Sequence, residues 1–230
     1  MKATRSPWLQ LRSILPAILL ILAISAVFIG AVLILHLWKG VRIDQLTRDP
    51  AAITGTRPYI GFLSNVGIFF WSATATVCFF GALLMAKQRN SLELERFLLA
   101  SGLFTLFLGF DDTFLLHEDL LPNHLGIWEP LIYLGYAGVG LFCTVRFYRV
   151  ILDTEYLLLL LALFLLGISA SLDVVWDQHI FSIPSRIEFL VEDGAKFTGI
   201  VSWLVYSARV VNHHLSTERS ADMAQKQLAV

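Results

Sequence analysis

Four carboxylates and a histidine crowd into the eleven residues "GFDDTFLLHED", Gly109 to Asp119, directly after a run from Phe97 to Phe110 that holds no charge. Asp173, Asp177 and His179 close a second apolar run, and Glu188, Glu192, Asp193 and Lys196 open a third. An ionised side chain at the centre of a bilayer costs about 2.5–3.5 kcal/mol on insertion scales. Such groups are therefore kept where they face one another, a wet cavity or an ion. Several carboxylate oxygens suit hard cations such as Mg²⁺ and Ca²⁺, and an added imidazole suits Zn²⁺, Mn²⁺ or iron. The residue types thus point to a divalent metal ion held by a set drawn from Asp112, His117, Asp173, Asp177, Glu188 and Glu192. Asp111, Asp112, Asp173, Glu192 and Lys196 are the candidate catalytic groups, with Lys196 balancing charge in the pocket. Glu118, Asp119, Asp177 and Glu188 attract cations at its mouth.

Three function classes fit this chemistry, and the residues alone do not choose among them. A metal-dependent membrane hydrolase would activate water against a lipid-linked ester or phosphoester. A small transporter would pass protons or an ion along acids and one lysine near the midplane. Six helices are few for that task, so transport implies a homodimer or a membrane partner. A non-catalytic subunit would dock a partner through its acidic face. Each grouping also has a plainer reading. Asp111–Asp112 and Asp173–Asp177 could be helix-end pairs at the interface. Glu192 and Lys196, in the favoured i,i+4 order, could be a structural ion pair. His36, His124 and His179 read as interfacial residues.

The HxxxH pair of ceramidase-type membrane hydrolases is missing, because the last apolar run has no histidine before His213. The CDP-alcohol phosphotransferase signature is also not met, because "DGAK" (Asp193 to Lys196) follows "DVVWD" (Asp173 to Asp177), in the wrong order and spacing.

The elements that must position these groups follow from composition. The 230 residues are 57% hydrophobic and only 15% charged, against about 25% charged in soluble domains. Mean hydropathy is +0.70. A net charge of -1 says nothing about nucleic acid and no basic cluster suggests such a partner, so the expected partner is the lipid bilayer. A bilayer core needs about 20 apolar residues per helix. Six stretches qualify: 14–37, 59–86, 97–116, 127–152, 156–176 and 187–211. The expectation is an all-α, six-helix multi-pass bundle. Residues 1–13 form a cytoplasmic segment, 14–211 a single membrane domain and 212–230 a cytoplasmic tail. The first stretch is longer than a signal-peptide core of about 7–15 residues and reads as a retained helix.

Lys2, Arg5, Arg12, Lys87, Arg89, Arg96, Arg146, Arg149, Arg209, Arg219 and Lys226 fall on the side of both termini, against Lys39, Arg42, Arg48, Arg57 and Arg186 opposite. This bias puts both termini inside the cell, with the inner membrane as the expected location. The acids then gather at the outer end. At 1.5 Å per residue, Asp111 lies about 22 Å along its helix, Asp173 about 25 Å, and Lys196 about 15 Å below Arg186. Helical phase gathers Ser169, Asp173 and Asp177 on one face, and Glu188, Glu192, Lys196 and Gly199 on another. Gly61, Asn65, Ser72 and Thr76 form a milder stripe that could complete the wall. His117 points away from Asp111 if its helix is regular, and joins the acids only if the helix breaks before Pro122. Gly135, Gly138 and Gly140 read as a close-packing face. Cys78 and Cys143 lie in apolar runs and imply no disulfide framework.

Overall fold

The computed structural model describes residues 7–48, 50–57, 59–86, 92–177 and 185–228, with side chains left out at 7–14, 17, 20, 24, 176–188 and beyond 216. Among the described residues the structure is all helical, without strands. Four helices hold stretches long and apolar enough to cross a membrane: Ile21–Lys39, Phe62–Met85, Leu92–Phe114 and Tyr156–Val175. The stretches expected at 127–152 and 187–211 are also helical, but polar residues dilute them. Glu129, Tyr133, Tyr136 and Arg146 lie on the first, and Glu192, Asp193, Lys196 and Arg209 on the second.

The chain divides into two units, residues 1–60 and 61–230. In the first, α1 (Pro7–Lys39) is followed by two single-turn helices, α2 (Ile43–Thr47) and α3 (Pro50–Thr54). The His36 ring bonds the Val41 carbonyl at 2.9 Å and so helps close the end of α1.

The second unit contains α4 (Phe62–Met85), α5 (Leu92–Phe114), α6 (Glu129–Arg146), α7 (Tyr148–Leu152), α8 (Tyr156–Asp177) and α9 (Ser185–Leu228). Lipid tails are as apolar as leucine, so helices in a membrane associate by close packing rather than by hydrophobic transfer. The buried face of α4 accordingly carries Gly67, Thr74, Ala75, Cys78, Gly81 and Ala82. A Cβ on Gly81 would lie 2.4 Å from Val211 of α9, so only glycine permits that approach. A Cβ on Gly199 would lie 2.9 Å from Leu166 Cγ, which brings α9 equally close to α8. The glycines of α6 behave differently. Among the described residues nothing lies within 4 Å of a Cβ on Gly135 or Gly138, while one on Gly140 would lie 3.9 Å from the Phe104 ring, so only Gly140 of the expected face meets a neighbour.

The tightly packed core lies at one end of the unit, where α4 closes and α5 and α8 begin. Met85, Leu98, Phe97, Phe147, Ile151, Leu159, Ala162, Trp203 and Tyr206 interlock there. Thr154 Oγ1 and the Tyr206 hydroxyl share a hydrogen bond of 2.9 Å beneath them. Arg146 pairs with Glu93 at 2.9 Å, and Arg209 pairs with Glu155. At the opposite end α6 stands away from α5 and α8, and a cavity opens between them. One boundary differs from expectation: the fourth stretch breaks at Phe147 into α6 and α7, while α9 runs on as helix to Leu228.

Candidate functional site

Helix α5 ends at Phe114. Leu115 takes a left-handed conformation with φ of 50°, and a π-helical turn follows over Leu116–His124. A non-glycine residue at positive φ is strained, and π-turns recur at functional sites. Here the break re-aims one side chain. His117 swings back toward the helix it has just left and becomes buried. Its Nδ1 lies 2.6 Å from Asp111 Oδ2, and its backbone N–H donates to Asp111 Oδ1 at 2.9 Å. The Tyr136 hydroxyl of α6 donates to the same Oδ1 at 2.9 Å. Both oxygens of Asp111 are therefore committed to holding the histidine and the tyrosine. The alternative in which His117 pointed away assumed a regular helix, and the break at Leu115 removes that assumption.

With Nδ1 held by Asp111, Nε2 of His117 faces the remaining acids, and Glu118 Oε1 lies 3.4 Å from it. Burial pushes the ring toward its neutral form. Hydrogen bonds donated to Asp111 and Glu118 outweigh that and lift its pKa to about 9. Among the described residues, ligand atoms of His117, Glu129 and Asp173 come within 4.8 Å of one another. Glu129 opens α6 and Asp173 lies near the end of α8, so three separate elements meet at this point. The Tyr133 hydroxyl donates to Asp173, and the Tyr133 ring centroid lies 5.1 Å from that of His117.

The rest of the expected set has a different arrangement. Lys196 reaches across from α9 to Asp112, Nζ to Oδ1 2.5 Å. Its ion-pair partner is Asp112 rather than Glu192, which corrects the expected i,i+4 pair. The reason is depth: the Asp112 side chain is 7% exposed and needs a cation, whereas Glu192 is half-buried on the cavity wall. Glu192 and Asp193 line the cavity near Asp173. Asp119 is exposed and accepts from Asn123 Nδ2 at 2.8 Å, away from the cluster. The side chains of Asp177 and Glu188, and the whole of His179, lie outside the described residues.

Asp111, Asp112, His117, Glu118, Asp173, Glu192, Asp193 and Lys196 line one cavity of about 460 Å³ between α5, α6, α8 and α9. The polar stripe expected to complete the wall from α4 does not do so. Ser72 and Thr76 are exposed and donate to carbonyls of their own helix at 2.9 and 2.8 Å. Trp71 is the α4 residue that lines the cavity.

Tyr133 and Tyr136 are the site residues that sequence reasoning passed over, and Glu129, an acid expected at the same outer end, was not assigned to the metal set. With Gly140 they recur at intervals of three and four residues, which makes a polar stripe on an otherwise apolar helix. The phase argument applied to the other helices would have found them.

No curated protein and no solved structure matches the chain. A family model described as a domain of unknown function, DUF8692, matches residues 17–210, which takes in the greater part of the chain and every group placed around the cavity. The chain therefore belongs to this family, DUF8692.

Proposed function

We propose that the protein is a six-span membrane protein of the cell's inner membrane, with both termini cytoplasmic, whose outward cavity binds a divalent metal ion and hydrolyses a lipid-linked ester or phosphoester. The observation that carries this reading is the convergence of His117, Glu129 and Asp173 from three elements within 4.8 Å. A histidine and two carboxylates leave coordination positions open, as catalytic sites require. Asp111 behind His117 Nδ1 is the carboxylate–histidine arrangement that orients metal-bound imidazoles, and Tyr133 holds Asp173 in the same way. In this reading Asp111 is a positioning residue rather than a ligand. Asp112 is charge-matched by Lys196, and Glu192 and Asp193 face the substrate space. His117, Glu129 and Asp173 would hold the ion, which would supply Lewis-acid chemistry for activating water near neutral pH.

Elemental analysis of purified protein tests the reading. The expected result is a stoichiometric divalent ion that is lost in His117→Ala and in Asp173→Asn, while both variants stay monodisperse. Asp112→Asn should retain it. Absence of metal after loading and washing, or equal retention in all three variants, overturns the proposal.

A second reading, proton- or ion-coupled transport, is favoured by the Asp112–Lys196 pair, a lysine and an acid joined between two helices part-way down the bundle. It predicts ion-dependent or pH-dependent flux in liposomes, abolished by Lys196→Met in folded protein.

A further inference from the structure

We propose that α6 is a hinged wall of the cavity, anchored at Phe147 and latched shut at its far end by the hydroxyls of Tyr133 and Tyr136. Because α6 also carries Glu129, the three-residue metal set is complete only while the wall is shut. This is a regulation of the site proposed above and rests on that reading.

Tyr133, Tyr136, Ala137, Gly140, Leu141 and Thr144 of α6 line the cavity, yet little packing holds the helix there. Of its 18 residues only Ile132 is buried, whereas α4 buries eight residues and α5 seven. Lipid tails replace any apolar contact that a moving helix loses, so helices in a membrane are held by close packing and hydrogen bonds. A helix packed as loosely as α6 is therefore held by its polar contacts, and these lie at its two ends. At the site end the Tyr133 hydroxyl donates to Asp173 of α8. The Tyr136 hydroxyl donates to Asp111 of α5 at 2.9 Å, and its ring meets Phe107 edge-on at 5.6 Å. At the other end Arg146 pairs with Glu93 at 2.9 Å, and Phe147, 7% exposed, packs edge-on against Phe97 at 5.6 Å.

The two ends differ in what they allow. The helix breaks at Phe147, with φ of -111° and ψ of 18°, and the Phe147 ring is fixed in the core, so the backbone there can turn about a held point. Hinges are element-terminal positions of this kind. At the site end the chain enters α6 through Gly126, at φ of 68°, and the extended, exposed Trp128, which can take up a movement. His117 is held to α5 through Asp111, and Asp173 sits on α8, whereas Glu129 lies in the first turn of α6. A swing that frees both tyrosines thus carries Glu129 out of the 4.8 Å cluster. At 18 residues α6 is about 27 Å long, so a rigid-body rotation of about 15° moves that end by about 7 Å.

Distances between paired spin labels, measured by pulsed electron paramagnetic resonance in lipid nanodiscs, test this. One pair joins Leu131→Cys on α6 to Phe69→Cys on α4, both exposed positions, in a Cys143→Ala background; Cys78 is buried and stays unlabelled. A control pair, Phe69→Cys with Phe164→Cys of α8, spans the bundle without α6. With a chelator present, Tyr133→Phe/Tyr136→Phe should shift the first distance by about 7 Å and leave the control pair unchanged. Zinc should restore the parent distance, and should fail to do so once Glu129→Gln is added. A first distance equal to the parent's, or equal shifts in both pairs, overturns the inference. So does zinc that binds, by elemental analysis, without restoring the distance, or that restores it regardless of Glu129. A tyrosine-dependent shift with no zinc bound in any sample, the parent included, upholds the hinge and sinks the metal reading, so the two fail separately.

Discussion

Replacing Lys196 with methionine leaves the Asp112 carboxylate in place without its cation. That carboxylate is 7% exposed and the lysine side chain 29%, with 2.5 Å between Nζ and Oδ1. Removing one member of a buried pair costs about 3–5 kcal/mol, because the other is stranded. The lysine reaches the cavity, so the pair is only partly desolvated and the lower end, about 3 kcal/mol, applies. The converse change, Asp112→Leu, strands a lysine that can turn its ammonium into the cavity, and costs about 1–2 kcal/mol. The double variant places two apolar side chains where the pair was and should fall within about 1 kcal/mol of the parent. A double-mutant cycle thus gives a coupling of at least about 3 kcal/mol. Reversible unfolding in mixed micelles, followed by circular dichroism, measures all four proteins. The reasoning is refuted if Lys196→Met unfolds with the parent's stability, or if the double variant is as unstable as the two single losses added together.

Asp111→Asn should weaken divalent-ion binding by about 10–100-fold without abolishing it, as loss of a group behind a ligand does; isothermal titration alongside His117→Ala checks the ranking. Gly199→Val should cost about 1–3 kcal/mol, because even its Cβ would fall 2.9 Å from Leu166, whereas Gly135→Leu should leave the melting temperature unchanged. Leu115→Gly should be tolerated at its φ of 50°, while Leu115→Val, β-branched at the same angle, should cost about 1–2 kcal/mol and weaken metal binding by re-aiming His117.

The helical segments could be read from the chain because lipid imposes a simple rule: a spanning backbone must satisfy its own hydrogen bonds, so about 20 apolar residues become a helix. The stretch 59–86 appears as Phe62–Met85, and 156–176 as Tyr156–Asp177. That these acids gather at one end of their helices followed from counting rise per residue, and Asp111, Asp112, Asp173, Glu192 and Lys196 do line one cavity. The glycines were harder. Gly81 and Gly199 mark close approach and Gly135 does not, although nothing in composition separates them.

What the sequence by itself determined is therefore the all-helical architecture and the gathering of ionisable groups at one end. Both follow from local periodicity and the cost of charge in hydrocarbon. Which acid meets which partner was decided only by the tertiary structure. The left-handed Leu115 and the π-turn after it depart from the regular 100° phase, and they carry His117 onto Asp111. Lys196 had a neighbour one helical turn away in Glu192, yet the more deeply buried Asp112 on another helix holds it. Pairing in a low-dielectric interior goes to the charge that most needs compensation. Burial depth is set by how helices pack, and that information is spread over the whole chain rather than written beside either residue.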